Sequence, residues 1–165
     1  MKPWSFAAAA YLCLSPALAR EPRPTAIFDF SLIDTSLQGE MTGPRSDEQE
    51  RLRSLDTQLR EALVRSGCCV PVNPPPGVQP GAGSDMRNCG GCDLDIARQA
   101  GAKISVIGWV QKVSNLILNV NIVARDVETG KVISVGSVDI RGNTDESWSR
   151  GLAYVLRNSL RPSEW

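Results

Sequence analysis

The chain contains no histidine, and that absence removes whole classes of chemistry. Ser-His-Asp and Cys-His catalysis both need an imidazole to take the nucleophile's proton. Zinc sites built on histidine are excluded for the same reason. Cys89-Gly-Gly-Cys92 is followed by Asp93, where the haem-attachment signature requires histidine. Long apolar runs are missing too: none reaches the ~18 residues of a membrane-spanning helix. Charge imbalance is absent, with 18 basic residues against 18 acidic ones. Nothing therefore points to a nucleic-acid or anionic-membrane surface. The sequence shows no internal repeat and no heptad array.

The N-terminus carries an export pattern. Lys2 supplies a positive charge, Phe6 to Leu14 is apolar, and Ala17-Leu18-Ala19 fits the small-x-small cleavage rule, which places the cut before Arg20. Cys13 follows Leu12 rather than a small residue, which argues against a lipid-anchored cysteine. The expectation is a 1–19 signal peptide, a soluble periplasmic protein, and one domain over 20–165.

Within that domain, Ala26, Phe28 and Phe30 alternate with Thr25, Ile27 and Asp29, as a short strand does. Residues 31–44 are polar, hold Gly39 and Gly43, and read as a loop. Ser46 reads as the N-cap of a helix, with Gln49 placed for a capping box. Leu52, Leu55, Leu59, Ala62 and Leu63 form its apolar stripe, and Gly67 stops it. Cys68 to Val72 fits a short strand. Residues 73–88 carry Pro74, Pro75, Pro76, Gly77, Pro80, Gly81 and Gly83, and read as a surface excursion.

The centre of the chain is residues 89–140. A short helix over 93–100 delivers it into three strand-like runs, 103–111, 116–125 and 132–140. Gly108 inside the first suggests a bulge or a close neighbour. In the second, Leu116, Leu118, Val120, Ile122 and Ala124 share one face; Asn119, Asn121 and Arg125 share the other. The connections are too short for crossovers, so this meander is antiparallel. Thr144 reads as the N-cap of a last helix whose stripe is Trp148, Leu152, Val155, Leu156 and Ser159. The order specifies an α/β (α+β) sandwich: a mixed sheet of about five strands, with an antiparallel three-strand meander, packed by three helices. Both helices flanking the meander are expected on its Leu116–Ala124 face.

Cys68, Cys69, Cys89 and Cys92 remain after export, and an even count in an exported chain points to disulfides. Three pairings exist. A vicinal bridge is strained, so the favoured arrangement joins the adjacent pair to the Cys-x-x-Cys pair and pins the proline loop, worth about 3 kcal/mol for a ~20-residue loop. A redox role for Cys89 and Cys92, or binding of a small ligand or of a metal held by thiolates, are the alternatives.

The stretch Ala97-Arg-Gln-Ala-Gly-Ala-Lys-Ile-Ser-Val-Ile-Gly-Trp-Val, the early strand, and the Thr129-Gly130-Lys131 turn resemble small periplasmic modules such as the N-terminal domain of TolB and the curli-secretion protein CsgG. The cysteines and Arg141-Gly-Asn-Thr-Asp-Glu-Ser-Trp148 are similar to an uncharacterised family of exported bacterial proteins. The resemblance implies protein–protein contact in the cell envelope. Arg141, Asn143, Asp145, Glu146 and Trp148 cluster where a strand meets a helix; ordinary capping with Trp148 in the core accounts for them, and as surface they are candidates for partner contact together with Asn119 and Asn121. Asp29 and Asp34 are a conceivable carboxylate pair. No catalytic residue, cofactor or metal is assigned. The expected function is non-catalytic partner binding in envelope assembly or transport.

Overall fold

The computed structural model describes residues 21–73 and 85–165. The signal segment and most of the 73–88 excursion lie outside the described residues.

Period-two alternation organises the sheet. Along β5 (Ile117–Asp126), Leu118, Val120, Ile122 and Ala124 all point to one side and are fully buried. β5 pairs antiparallel with β4 (Ile104–Ser114) and with β6 (Val132–Ile140), so the meander forms as its short connections require. On the other side of β4, β1 (Arg23–Ile27) pairs parallel with Ile104–Val106, and β3 (Cys69–Val72) pairs parallel with β1. The sheet is mixed and ordered β3-β1-β4-β5-β6.

A sixth strand sits where a loop was expected. β2 (Ser31–Asp34) continues along the same side of β4 as β1, pairing with Trp109–Lys112. Its two polar ends hide a Leu32-Ile33 centre from a composition-based reading. A short helix, α1 (Leu37–Thr42), follows, capped by the Ser36 hydroxyl, which accepts from the Gly39 N–H at 3.1 Å. The mixed α/β architecture is as expected, with six strands and four helices among the described residues where about five and three were expected.

α2 (Ser46–Arg65) buries Leu52, Leu55, Leu59 and Leu63. Each contributes roughly 1.5–3 kcal/mol before ordering entropy is subtracted. Its N-cap is Arg45, without a side-chain bond, so Ser46 is the first helical residue and not the cap. α3 (Cys92–Gln99) and α4 (Asp145–Val155) complete the set; Thr144 caps α4 as expected, accepting from the Ser147 N–H at 3.2 Å. A π-helical turn over Leu156–Leu160 extends α4.

The helices divide between the two faces. α2 and α4 cover the Leu118–Ala124 face, around Leu55, Leu59, Val106, Val110, Trp148 and Leu152. α3 lies on the opposite face, where Ile96 and Ala97 meet Ala26, Phe28 and Ile107. The expectation that both helices flanking the meander share one face fails for α3. The reason is handedness: β1 to β3 steps one way along the sheet and β3 to β4 steps back the other way. Right-handed crossovers in opposite directions place their helices on opposite faces. Gly108 marks a close neighbour rather than a bulge: a Cβ there would stand 2.6 Å from the Phe30 ring.

Between β1 and β2 the Phe30 N–H leaves the ladder and donates to Asp56 Oδ1 on α2 at 2.6 Å. Burial pushes the Asp56 carboxyl up to about 6, against the downward pull of that hydrogen bond; Asp29 adds to the rise and Arg60 opposes it. The folded chain therefore binds a proton between about pH 4 and 6 that the unfolded chain has lost, so this group's contribution to stability declines as pH rises through that window. Asp56→Asn keeps an acceptor for Phe30 and removes the desolvated charge. Its thermal midpoint should exceed the parent's at pH 8 by the equivalent of about 1 kcal/mol, after allowing for solvent screening. At pH 4 the two should coincide. An equal offset at both pH values in paired thermal melts would contradict this reading.

Candidate functional site

At one end of the sheet five segments meet: the end of β2, α1, the first turn of α2, the end of β4, and the β6–α4 turn. Alternation in β4 puts Lys112 on the same face as Val106 and Val110, so its side chain enters the protein and is 0 % exposed. On α2, Glu48 stands one turn before Leu52 on the buried stripe and is 1 % exposed. Lys112 Nζ donates to Glu48 Oε1 at 2.7 Å, to Asp34 Oδ2 at 2.9 Å and to Gln38 Oε1 at 3.4 Å. All three of its hydrogens are placed. Asp34 Oδ1 accepts from the Ser36 N–H and hydroxyl at 2.9 and 2.5 Å.

The network continues into α4. Asn143 Nδ2 donates to Glu48 Oε1 at 2.6 Å, and its Oδ1 accepts from Trp148 Nε1 at 3.0 Å and from Arg51 at 3.3 Å. Arg51 also bonds Asp145 Oδ1 at 2.7 Å. Burial opposes the Lys112 charge, but the hydrogen bonds to Glu48 and Asp34 more than offset it and raise its pKa above the ordinary lysine value. Asp34 is held below the usual carboxylate value: burial works against it, and the bonds from Ser36 and Lys112 prevail. A lysine already ion-paired to two carboxylates is no general base, and Asp34 already bonded to Ser36 and Lys112 is no free nucleophile. The arrangement clamps five segments together; it offers no spare acid–base pair.

Of the residues singled out in the sequence, Asn143, Asp145 and Trp148 belong to this network. Trp148 is 1 % exposed and presents almost no surface. Arg141 lies on the far side of α4 in an open groove of about 370 Å³, with Val138, Glu146, Arg150 and Tyr154. A second groove of about 190 Å³ runs between α2 and α4, lined by Glu50, Arg51, Ser54, Asp145 and Ser149. Asn119 and Asn121 are elsewhere, on the opposite sheet face, where Asn119 Nδ2 donates to Asp139 at 2.8 Å. Arg125 pairs with the buried Asp93, which also accepts from the Ser105 hydroxyl at 2.7 Å. Asp29 and Asp34 do not form a pair: Asp29 bonds Arg60 and Asp34 bonds Lys112. Sequence reasoning missed Lys112 and Glu48; their signal was a charge at an inward-facing position of a strand and of a helix stripe.

The cysteines pair locally. Cys68 bonds Cys69, and Cys89 bonds Cys92. The bridges expected between the two pairs are not formed. Cys69 sits in the core under α2, whereas Cys92 packs against the core under α3, so the sheet itself separates them. Rings this short remove little freedom from the unfolded chain, about 1–2 kcal/mol each in the entropy model. Among the described residues no group of three or more Cys, Asp or Glu is arranged to hold a metal ion. No helix among them is long and apolar enough to cross a membrane.

A family model described as "Protein of unknown function (DUF2380)" matches residues 23–160. The chain belongs to that family. No curated protein matches it in sequence. Among solved structures, the DUF2380 chain is similar to the LpoB C-terminal domain from Salmonella enterica, at 14% identity and TM-score 0.51, covering 76% of this chain and 87% of that one. The LpoB C-terminal domain from Escherichia coli gives 14% identity and TM-score 0.50 over the same shares of each chain, 76% and 87%. The PelC dodecamer from Paraburkholderia phytofirmans gives 13% identity and TM-score 0.47, over 83% and 88%. At identities this low the two LpoB matches establish a shared fold only. The expected membership of a family of unknown function is shown; the similar structures named here are not TolB or CsgG, so they do not confirm that resemblance.

Proposed function

We propose that this DUF2380 protein is a periplasmic, non-catalytic protein-interaction module acting in envelope assembly or transport, and that its partner surface is centred on α4. The observation that carries the reading is the placement of α4 between two grooves beside an edge strand. β6 ends the sheet order. Tyr154 is 49 % exposed at the rim of the larger groove, close to Arg141 and Arg150. An exposed aromatic flanked by arginines is the composition of interface anchors. The buried network supports the reading from the other side, because it fixes the α4 N-terminus rigidly without holding a free reactive group.

The test is affinity capture from periplasm with the mature chain. The parent should repeatedly retain the same envelope protein, and Arg141→Glu combined with Tyr154→Ala should lower its recovery by about 10-fold or more. Repeated capture of no partner, or equal recovery by the variant, would overturn the proposal.

A further inference from the structure

The Cys89–Cys92 bridge differs in setting from a buried structural disulfide. Cys89 is exposed, and Gly90 and Gly91 between the sulfurs take φ of 68° and 100°, with open space where a Cβ would stand. The two ends of the bridge are anchored separately. Before Cys89, Met86 is buried in the core under α3, and the Arg87 guanidinium lies 5.1 Å from the centre of the Trp109 ring. After it, Cys92 is the half-buried first residue of α3, whose N-terminus has no side-chain cap. The dipole at this helix start favours a negative charge on Cys92, and Asp93 and Asp95 in the same turn oppose it. Opening the bond would leave Met86 and α3 each held by its own packing.

We propose that Cys89–Cys92 is an exchange-active disulfide that oxidises a dithiol in an extended segment of an exported protein. A client thiolate attacks the Cys89 sulfur; the Cys89–Cys92 bond breaks and its electron pair leaves on Cys92, whose thiolate then takes a proton. The second client thiol, deprotonated, attacks the client sulfur of the mixed disulfide, forming the client disulfide and expelling Cys89 as a thiolate, which is protonated in turn. Two electrons and two protons pass from client to protein. The activity goes beyond partner binding at α4 and does not depend on which partner α4 holds.

The test uses the oxidised mature chain and a synthetic peptide with two cysteines, with differential alkylation and mass spectrometry. The peptide should lose about 2 Da and the protein gain about 2 Da, with the new label on Cys89 and Cys92. The rate should exceed that of Cys89→Ser/Cys92→Ser by at least ~10-fold and be kept in Cys68→Ser/Cys69→Ser. Labelling the parent assigns the reacting cysteines even if a variant fails to fold. Label appearing only on Cys68 and Cys69, or a Cys89–Cys92 bond that the peptide leaves intact until denaturant is added, would overturn the proposal. Because the peptide replaces any envelope partner, failure here and failure of the α4 reading are separate results.

Discussion

Lys112→Ala should destabilise the protein by about 3–5 kcal/mol in urea unfolding, the usual consequence of removing one partner from a buried ion pair. The size comes from what is left behind. Glu48 is 1 % exposed, and without the ammonium it keeps the Asn143 N–H among the described residues. Asp34 keeps its Ser36 bonds and loses its cation. Two carboxylates would then be desolvated without compensating charge. Losing the ammonium removes one of the bonds that hold the Asp34 carboxyl down, so the deficit of the variant should shrink as pH falls. Lys112→Met, which keeps most of the stem volume, should lose nearly as much, which separates charge from cavity. Glu48→Gln keeps acceptors for Lys112 and Asn143, and should cost only about 1–2 kcal/mol. A deficit for Lys112→Ala under about 1 kcal/mol would mean that the network is not a clamp.

Trp148→Ala should cost a further large amount on its own, about 3–5 kcal/mol, as large-to-small changes in packed cores do. The indole is the largest fully buried side chain and lies in the cluster that α2 and α4 close over β5. Its N–H also holds Asn143, which in turn holds Glu48. Trp148→Phe keeps most of the ring contact and drops that donor, so about 1 kcal/mol is expected. Combined with Glu48→Gln it should be non-additive by ~0.5 kcal/mol or more, because both changes touch Asn143. Strict additivity in the double-mutant cycle would show that packing and the polar network are independent.

Elements with a strong period were legible before any coordinates. The Leu52–Leu63 stripe gave α2, and the alternation from Leu118 to Ala124 gave β5 and its buried face. Thr144 gave the start of α4. Elements whose signal is tertiary were not. β2 is four residues long, and parallel pairing with distant Trp109–Lys112 defines it. Ending β4 at Gln111 put Lys112 outside the alternation, and starting the stripe at Leu52 left out Glu48, one turn before it. The site was therefore half legible: Asn143, Asp145 and Trp148 were marked by the strand-to-helix turn, while the ion pair they connect to was not. The disulfide pattern failed for a related reason. Chain order says nothing about which face of the sheet a cysteine occupies, and crossover direction decides that Cys69 and Cys92 are on opposite sides.

Photo-crosslinking in the periplasm tests the central claim most directly. A photoreactive amino acid would replace Tyr154 at the groove rim, and in a second strain Val64, which is 51 % exposed on the remote part of α2. The account predicts that position 154 joins covalently to one envelope protein and that position 64 does not. Adducts at neither position, or the same adducts at both, would contradict it.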